Sequence, residues 1–160
     1  MSWNAMTPAE ACDLMDFWAG LPWPLTRDEA QQRAVEHLGW TTEVEDGKSY
    51  LINTVSGFTV PDVSTIGARR HLNYVSLHLS DETTTPSAEE TAAMGDAFTL
   101  VVREGTARWG EPTQRESAGT TSAIWDVAGG ARVSISLSPS GIRGMFETPQ
   151  GVEVERKLGY

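Results

Sequence analysis

The sequence is poor in the residues that build redox, metal and catalytic sites. Its 160 residues include one cysteine, Cys12, and three histidines. A single cysteine cannot form an internal disulfide, and it excludes a zinc site built from cysteines. No stretch approaches the roughly 20 apolar residues of a membrane span, and residues 1–25 lack the basic start and apolar run of a signal peptide. We therefore expect a soluble, cytoplasmic protein.

Basic residues are also scarce, with 12 lysines and arginines against 22 acids and a net charge of −10. Such a charge repels nucleic acid and anionic membranes and attracts basic partners. Residues 1–46 hold nine acids and two bases, so they carry most of the negative charge. This acidic third is either a binding surface or a solvated face that keeps the protein soluble.

The motif Ser/Thr-x-x-Glu precedes an apolar helical pattern at three places. In this motif the hydroxyl caps the third amide of the helix and the glutamate reaches back to the capping residue. The three occurrences begin at Thr7, Thr26 and Ser87. They predict two N-terminal helices and a central helix of roughly 20 residues that ends near Trp109.

Residues with alternating polarity flank short turn sequences elsewhere in the chain. Residues 41–45 and 49–55, 121–127 and 132–137, and 142–147 and 152–158 are predicted to form three hairpins. Residues 56–70 contain two glycines and a proline and are predicted to form a long loop, which is sometimes functional. The prediction is a single α+β domain over residues 1–160. Its antiparallel sheet has about five to seven strands, with two N-terminal helices and one long central helix packed on one face.

No recognised catalytic motif accompanies these elements. The sequence lacks Gly-x-Ser-x-Gly, Gly-x-Gly-x-x-Gly, a complete phosphate-binding loop and His-Glu-x-x-His. His71 and His78 lie seven residues apart in one predicted strand, so strict alternation sends them to opposite faces, and they cannot share a metal unless a bulge intervenes. Asp126 is predicted to face solvent between Trp125 and Val127. We expect no cofactor, no metal and no enzymatic activity.

The acidic and aromatic residues of the N-terminal region are the predicted partner-binding surface. Trp23, between two prolines, is either an exposed anchor or a lid over the core. The residues assigned to this surface are Asp13, Asp16, Trp23, Glu36, Glu43 and Glu45. A basic protein is the expected partner, because opposite charges speed encounter.

Several short segments resemble a family of small uncharacterised actinobacterial proteins. They are Leu21-Pro22-Trp23-Pro24-Leu25-Thr26, Leu38-Gly39-Trp40, Trp109-Gly110-Glu111-Pro112, Ile124-Trp125 and Val133–Leu137. The resemblance supplies no catalytic residues.

Small acidic cytosolic proteins of this sort are similar in type to immunity proteins, which neutralise a secreted toxin domain. The leading hypothesis is therefore a non-enzymatic binding protein of the immunity or antitoxin type. The alternatives are an acidic secretion chaperone or adaptor, and a small-ligand sensor or enzyme that uses Asp126, His71 or His78.

Overall fold

The computed structural model describes residues 2–159, and within them it contains four α-helices and one eight-stranded antiparallel sheet. The helices are α1 (Pro8–Ala19), α2 (Arg27–Leu38), α3 (Ala88–Trp109) and α4 (Pro149–Lys157). The strands are β1 (Thr41–Glu45), β2 (Lys48–Ile52), β3 (Asp62–Ala68), β4 (His71–His78), β5 (Thr113–Ser117), β6 (Thr120–Asp126), β7 (Arg132–Ser138) and β8 (Gly141–Glu147). No helix in this described range is long and apolar enough to cross a membrane.

The first three helices begin where the capping motifs predict. The hydroxyls of Thr7, Thr26 and Ser87 each accept a hydrogen bond from the amide three residues later. The glutamate at that third position reaches back to the amide of the capping residue in all three helices. Each box therefore satisfies two amides that the helix itself leaves unpaired.

The order of elements occurs twice along the chain. Helix α2 precedes the meander β1–β4, and α3 precedes the meander β5–β8. The strands lie in the order β1-β2-β3-β4-β8-β7-β6-β5, so the last strands of the two meanders pair at the centre of the sheet. Strands β1 and β5 form the two edges.

One hydrophobic core lies between the sheet and helices α1, α2 and α3, which confirms an α+β fold. Trp18 of α1 and Trp125 of β6 are almost completely buried, as is Phe146 of β8. The Trp18 ring lies 6.1 Å from the ring of Trp40, which is also buried and covers the core as its place after α2 predicts. Alternate residues of β7 (Val133 and Ile135) enter this core, so the other face of the strand is turned away from the three helices.

The structure has more elements than the sequence predicts. The predicted strand 152–158 is instead the end of helix α4 and its C-cap Leu158, because Thr148 caps the start of the helix and Pro149 occupies its first turn. Valines and acids alternate in this segment, which is the pattern expected for a strand. Residues 62–68 form β3 within the predicted loop, and β5 is also additional. All five residues of β5 are exposed and its sequence is polar, so it has no hydrophobic pattern to reveal it.

A bulge in β4 changes the prediction for the two histidines. Leu72 lies opposite Gly67 and Tyr74 lies opposite Ile66, so Asn73 is the extra residue on β4. Leu72 and Leu77 are both buried, although strict alternation would put them on opposite faces. The bulge thus places His71 and His78 on the same side of β4, and the prediction of opposite faces is wrong. They stay roughly 20 Å apart along the strand and cannot share a metal ion.

Candidate functional site

A groove of about 530 Å³ lies beside the N-terminal half of α1. Its walls are the first turns of α1, the end of α2 and the β2–β3 loop. Its apolar lining comes from Met6, Leu14, Leu38, Trp40, Val55 and Phe58. Glu10 and Asp13 line it as well, and both are exposed. We call this feature the α1 groove. It combines an apolar floor with an acidic rim, which suits an amphipathic basic partner.

Two buried polar residues hold the walls of the α1 groove together. The Asn53 carboxamide oxygen accepts hydrogen bonds from the amides of Val55 and Ser56, which sets the turn of the β2–β3 loop. Asp81 accepts from the amide of Asn4 at 2.8 Å and from the amide of Thr59 at 3.0 Å. One carboxylate therefore fixes the segment before α1 and the loop on the other side.

The predicted contact residues Asp13 and Asp16 lie on α1 and form ion pairs inside the protein. Arg108 of α3 donates to Asp13 at 2.7 Å, to Asp16 at 2.9 Å and to Glu104 at 2.8 Å. These three carboxylates raise the pKa of Arg108, and the hydrogen bonds that Arg108 donates to Glu104 and Asp13 are the largest causes. Asp16 also accepts from the indole of Trp109 at 2.9 Å. Three acids surround one base, so the cluster keeps a net negative charge while it joins α1 to α3.

Replacing Arg108 by glutamine is expected to lower the free energy of unfolding by about 1 kcal/mol. The loss is modest because Asp13 and Asp16 are largely exposed and water screens their interaction with Arg108. Urea denaturation at low and high salt measures it. Arg103→Gln, an exposed position on the same helix, is the control. Equal stability of the two variants at low salt would show that the cluster contributes nothing.

Trp23 is half-buried, and its ring packs on the core. It stacks on Phe146 with ring centroids 5.6 Å apart, and its indole donates a hydrogen bond to the carbonyl of Trp18 at 2.7 Å. The following peptide bond to Pro24 is cis. Of the two roles considered for Trp23, this geometry is that of a lid.

The remaining predicted contact residues are exposed. Glu36 lies on α2, where it accepts a hydrogen bond from Gln32. Glu43 and Glu45 lie on the edge strand β1, opposite Tyr50 and Lys48. The α1 groove contains only Asp13 of the six predicted residues. The apolar lining of the groove was not predicted from the sequence. One of its walls comes from the predicted loop 56–70, through Ser56 and Phe58.

The residues considered for catalysis are separated in the structure. Cys12 is buried in α1, and burial raises the pKa of its thiol to about 12, so it is not a reactive thiolate. Burial lowers the pKa of His78, and the positive charge of Arg143 lowers it further. Asp126 is exposed and pairs with Arg132 at 3.0 Å, while Trp125 is buried, as predicted. Within residues 2–159, no group of three histidines, cysteines or acids could hold a metal ion.

A pair of carboxyl groups on the opposite face of the sheet escaped the sequence analysis. Glu147 at the end of β8 is buried, and Glu155 of α4 lies beside it. Burial raises the pKa of Glu147, and the neighbouring carboxyl group of Glu155 raises it further, to about 7. The sequence pattern predicts that Glu155 lies in a strand of a hairpin. The structure places it on helix α4, and this position brings it next to Glu147.

The matches to known sequences agree with the extent of the fold. The family model described as Family of unknown function (DUF6301) matches residues 9–148. The chain belongs to this family. No curated protein and no solved structure gives a significant match to the chain.

The DUF6301 match covers the elements from α1 to β8. All the segments that carried the resemblance noted above lie within it. In the structure these segments build the core: Trp40 and Trp125 are buried, and Val133 and Ile135 are the inward residues of β7. The match ends at Thr148, so it covers Glu147 but not Glu155.

Proposed function

We propose that this protein is a non-enzymatic binding protein of the immunity or antitoxin type, which neutralises a basic toxin domain in the cytoplasm. The observation that carries the proposal is the α1 groove, where an apolar lining meets the exposed carboxylates of Glu10 and Asp13. An apolar cleft supplies the desolvated centre of an interface, and charges at its rim steer the partner.

The charge next to the α1 groove supports a basic partner. Asp13 and Asp16 share Arg108 with a third acid, so the cluster is left negative by two charges after pairing. A lysine or arginine of a partner can approach Asp13 from solvent, because its side chain is 70% exposed. The ion pairs with Arg108 fix the two aspartates in place, which lowers the entropy lost on binding.

Strand β1 carries a second group of exposed acids, outside the α1 groove. Every residue of β1 is exposed, and β2 is its only partner strand among the described residues. Glu43 and Glu45 flank Val44, which is 74% exposed. Trp23 packs on the core and does not line the groove, so in this proposal the groove lining provides the apolar contact.

The free edge of β1 also favours a second candidate, a secretion chaperone or adaptor. An extended segment of an exported protein can add to an exposed sheet edge through main-chain hydrogen bonds. Acidic side chains along that edge would select a basic segment. A chaperone of this kind binds a non-globular segment, whereas an immunity protein binds a folded toxin domain and blocks its activity.

Reversing the charges of Glu36, Glu43 and Glu45 to lysine is expected to weaken partner binding at least tenfold. The three side chains are exposed and form no ion pair among the described residues, so the change should leave the fold intact. The tagged protein is used to retain its partner from the native cytoplasm at low and high salt, with mass spectrometry of what is bound. Higher salt should release the partner.

The matched control reverses three other exposed acids, Glu89, Asp96 and Glu111, which changes the net charge by the same amount. Equal retention by both triple variants would show that the acidic surface has been placed wrongly. Retention of an intact toxin domain supports the immunity type. Binding to a disordered fragment of the partner supports the chaperone.

A further inference from the structure

The face of β5–β8 that points away from the three helices carries an unusual run of hydroxyl groups. Val133 and Ile135 of β7 enter the core, and the alternate residues Ser134, Ser136 and Ser138 lie on the other face. Serine is a poor strand former, so strand stability does not account for three in one strand.

Residues that pair directly across β5, β6, β7 and β8 form one row on this face, with an arginine at each end. The register pairs Arg115 of β5 with Ser122 of β6, Ser122 with Ser136 of β7, and Ser136 with Arg143 of β8. The row therefore reads arginine, serine, serine, arginine over four adjacent strands. Three strand spacings separate the two arginine backbones by roughly 14 Å. Long side chains from both ends can approach one ligand held over the two serines.

The same residues enclose a groove of about 570 Å³. The serines of β6 and β7 are short and form its floor, whereas Arg115 on one side and Arg143 and Met145 on the other rise above it. We call this feature the serine groove. Its volume is that of a site for a small molecule. It lies on the opposite face of the sheet from α1, α2 and α3 and shares no lining residue with the α1 groove.

The polar groups of the serine groove have hydrogen-bonding capacity to spare. The hydroxyls of Ser122 and Ser136 lie 2.8 Å apart, so one donates to the other and the second keeps its own proton for an acceptor. Arg115 is exposed and forms no ion pair with any residue in 2–159. Arg143 donates from Nη2 at 3.3 Å and from Nε at 3.4 Å to Glu82, which also lines the groove, and its Nη1 forms no hydrogen bond within residues 2–159.

The two ends of this face differ in charge. A second cavity of about 470 Å³ shares Arg115, Ile124, Ser134 and Met145 with the serine groove and extends to Glu147 and Glu155. The far end thus holds three acids and one base, Arg132, whereas the serine groove is lined by Arg115, Arg143 and one acid, Glu82, which contacts Arg143. A ligand that spans both cavities would have its negative group between the arginines and a neutral or cationic body toward the acids.

From this arrangement we propose that the serine groove binds a small polar molecule through an oxyanion group, a phosphate or a carboxylate. Arg115 and Arg143 bind the charged oxygens from the two sides, and the Ser122–Ser136 pair donates from below. Guanidinium groups match both kinds of oxyanion because their paired donors fit two oxygens at once. This site is separate from the α1 groove, so a failure to bind anions here would not contradict the proposed protein-binding function, and the reverse also holds.

Titration of the ¹⁵N-labelled protein with inorganic phosphate, and separately with citrate, tests this site by NMR. Sodium chloride keeps the ionic strength constant, and glucose serves as an uncharged reference. Saturable shifts of amides in β5–β8 are expected with at least one anion and none with glucose. The anion that saturates at lower concentration identifies the preferred group.

Arg115→Gln and Arg143→Gln are each expected to raise the dissociation constant at least tenfold. The control Arg103→Gln, on the exposed face of α3, should leave it unchanged. The spectra themselves show whether each variant is folded. Shifts that stay linear with anion concentration, that map to Arg69 and Arg70 instead, or that persist in both groove variants would overturn the proposal.

Discussion

Replacing Trp125 by alanine is expected to lower the free energy of unfolding by roughly 3–5 kcal/mol, a large part of the total for a domain of this size. Trp125 is 1% exposed and packs edge-on against Trp109, with ring centroids 5.2 Å apart. The α3 backbone lies so close that a Cβ on Gly105 would meet the Trp125 ring at 2.9 Å. Helix α3 can therefore collapse only partly into the space that the substitution leaves.

Urea denaturation followed by circular dichroism measures this loss. Trp125→Phe is the matched variant, since it keeps most of the ring and removes the hydrogen bond from the indole to the Gly110 carbonyl. It should cost less than the alanine variant, by at least 1 kcal/mol. If alanine and phenylalanine proved equally stable, the tight packing between α3 and β6 would be refuted.

The second large effect is a dependence of stability on pH that arises from Glu147. Its pKa in the folded protein is about 7, above the ordinary value of 4.5. The folded state therefore binds this proton more tightly than the unfolded state, and the stabilisation is complete below about pH 4.5. It is lost as the pH rises through 7. We expect a loss on the order of 2 kcal/mol, since Glu155 and Arg132 adjust to the new charge.

Glu147→Gln isolates this contribution, because glutamine imitates the protonated carboxyl group at every pH. The variant and the natural protein should be equally stable near pH 4, and the variant should be more stable at pH 8. Comparing the two removes the opposite trend from His78, whose lowered pKa makes protonation destabilising. Glu111→Gln, an exposed position between α3 and β5, is the control. A stability difference that does not change with pH would contradict the assignment.

The sequence predicts the first three helices because their signals are local. Thr7, Thr26 and Ser87 each form a complete capping box within four residues. Helix α4 has half of such a box, in which Thr148 caps the amide of Gly151. Its valines at positions 152 and 154 then give the alternation of a strand, and this pattern outweighed the Thr-Pro start in the prediction.

Other features depend on contacts between distant parts of the chain. The extra residue Asn73 in β4 is defined by its register with β3, and nothing in the local sequence marks it. Helix α4 packs against this point so closely that a side chain at Gly151 would collide with the Asn73 carbonyl. The serine groove likewise depends on Arg115 and Arg143, which are distant in the sequence and lie at the two ends of one row across four strands. The serines of β7 alternate with apolar residues in the sequence, but only the strand register shows that they lie in one row with the two arginines.

The acids of the N-terminal region were recognised by composition, and composition does not show how they are partnered. Asp13 and Asp16 prove to be linked to α3 through Arg108. Glu43 and Glu45 lie on a free edge. The two pairs look equivalent in the sequence but differ in how firmly the fold holds them.

The hairpin that carries Glu43 and Glu45 is attached to the rest of the sheet by a short joint. Only two residue pairs connect β2 to β3, Leu51 with Val63 and Ile52 with Asp62, whereas seven connect β7 to β8. Detaching the hairpin would break few hydrogen bonds of the sheet, so we expect it to open at a lower cost in free energy than the other six strands. Such an opening would move part of the negative charge while the core around Trp18 and Trp125 stays intact, and amide hydrogen exchange in β1 and β2 would detect it.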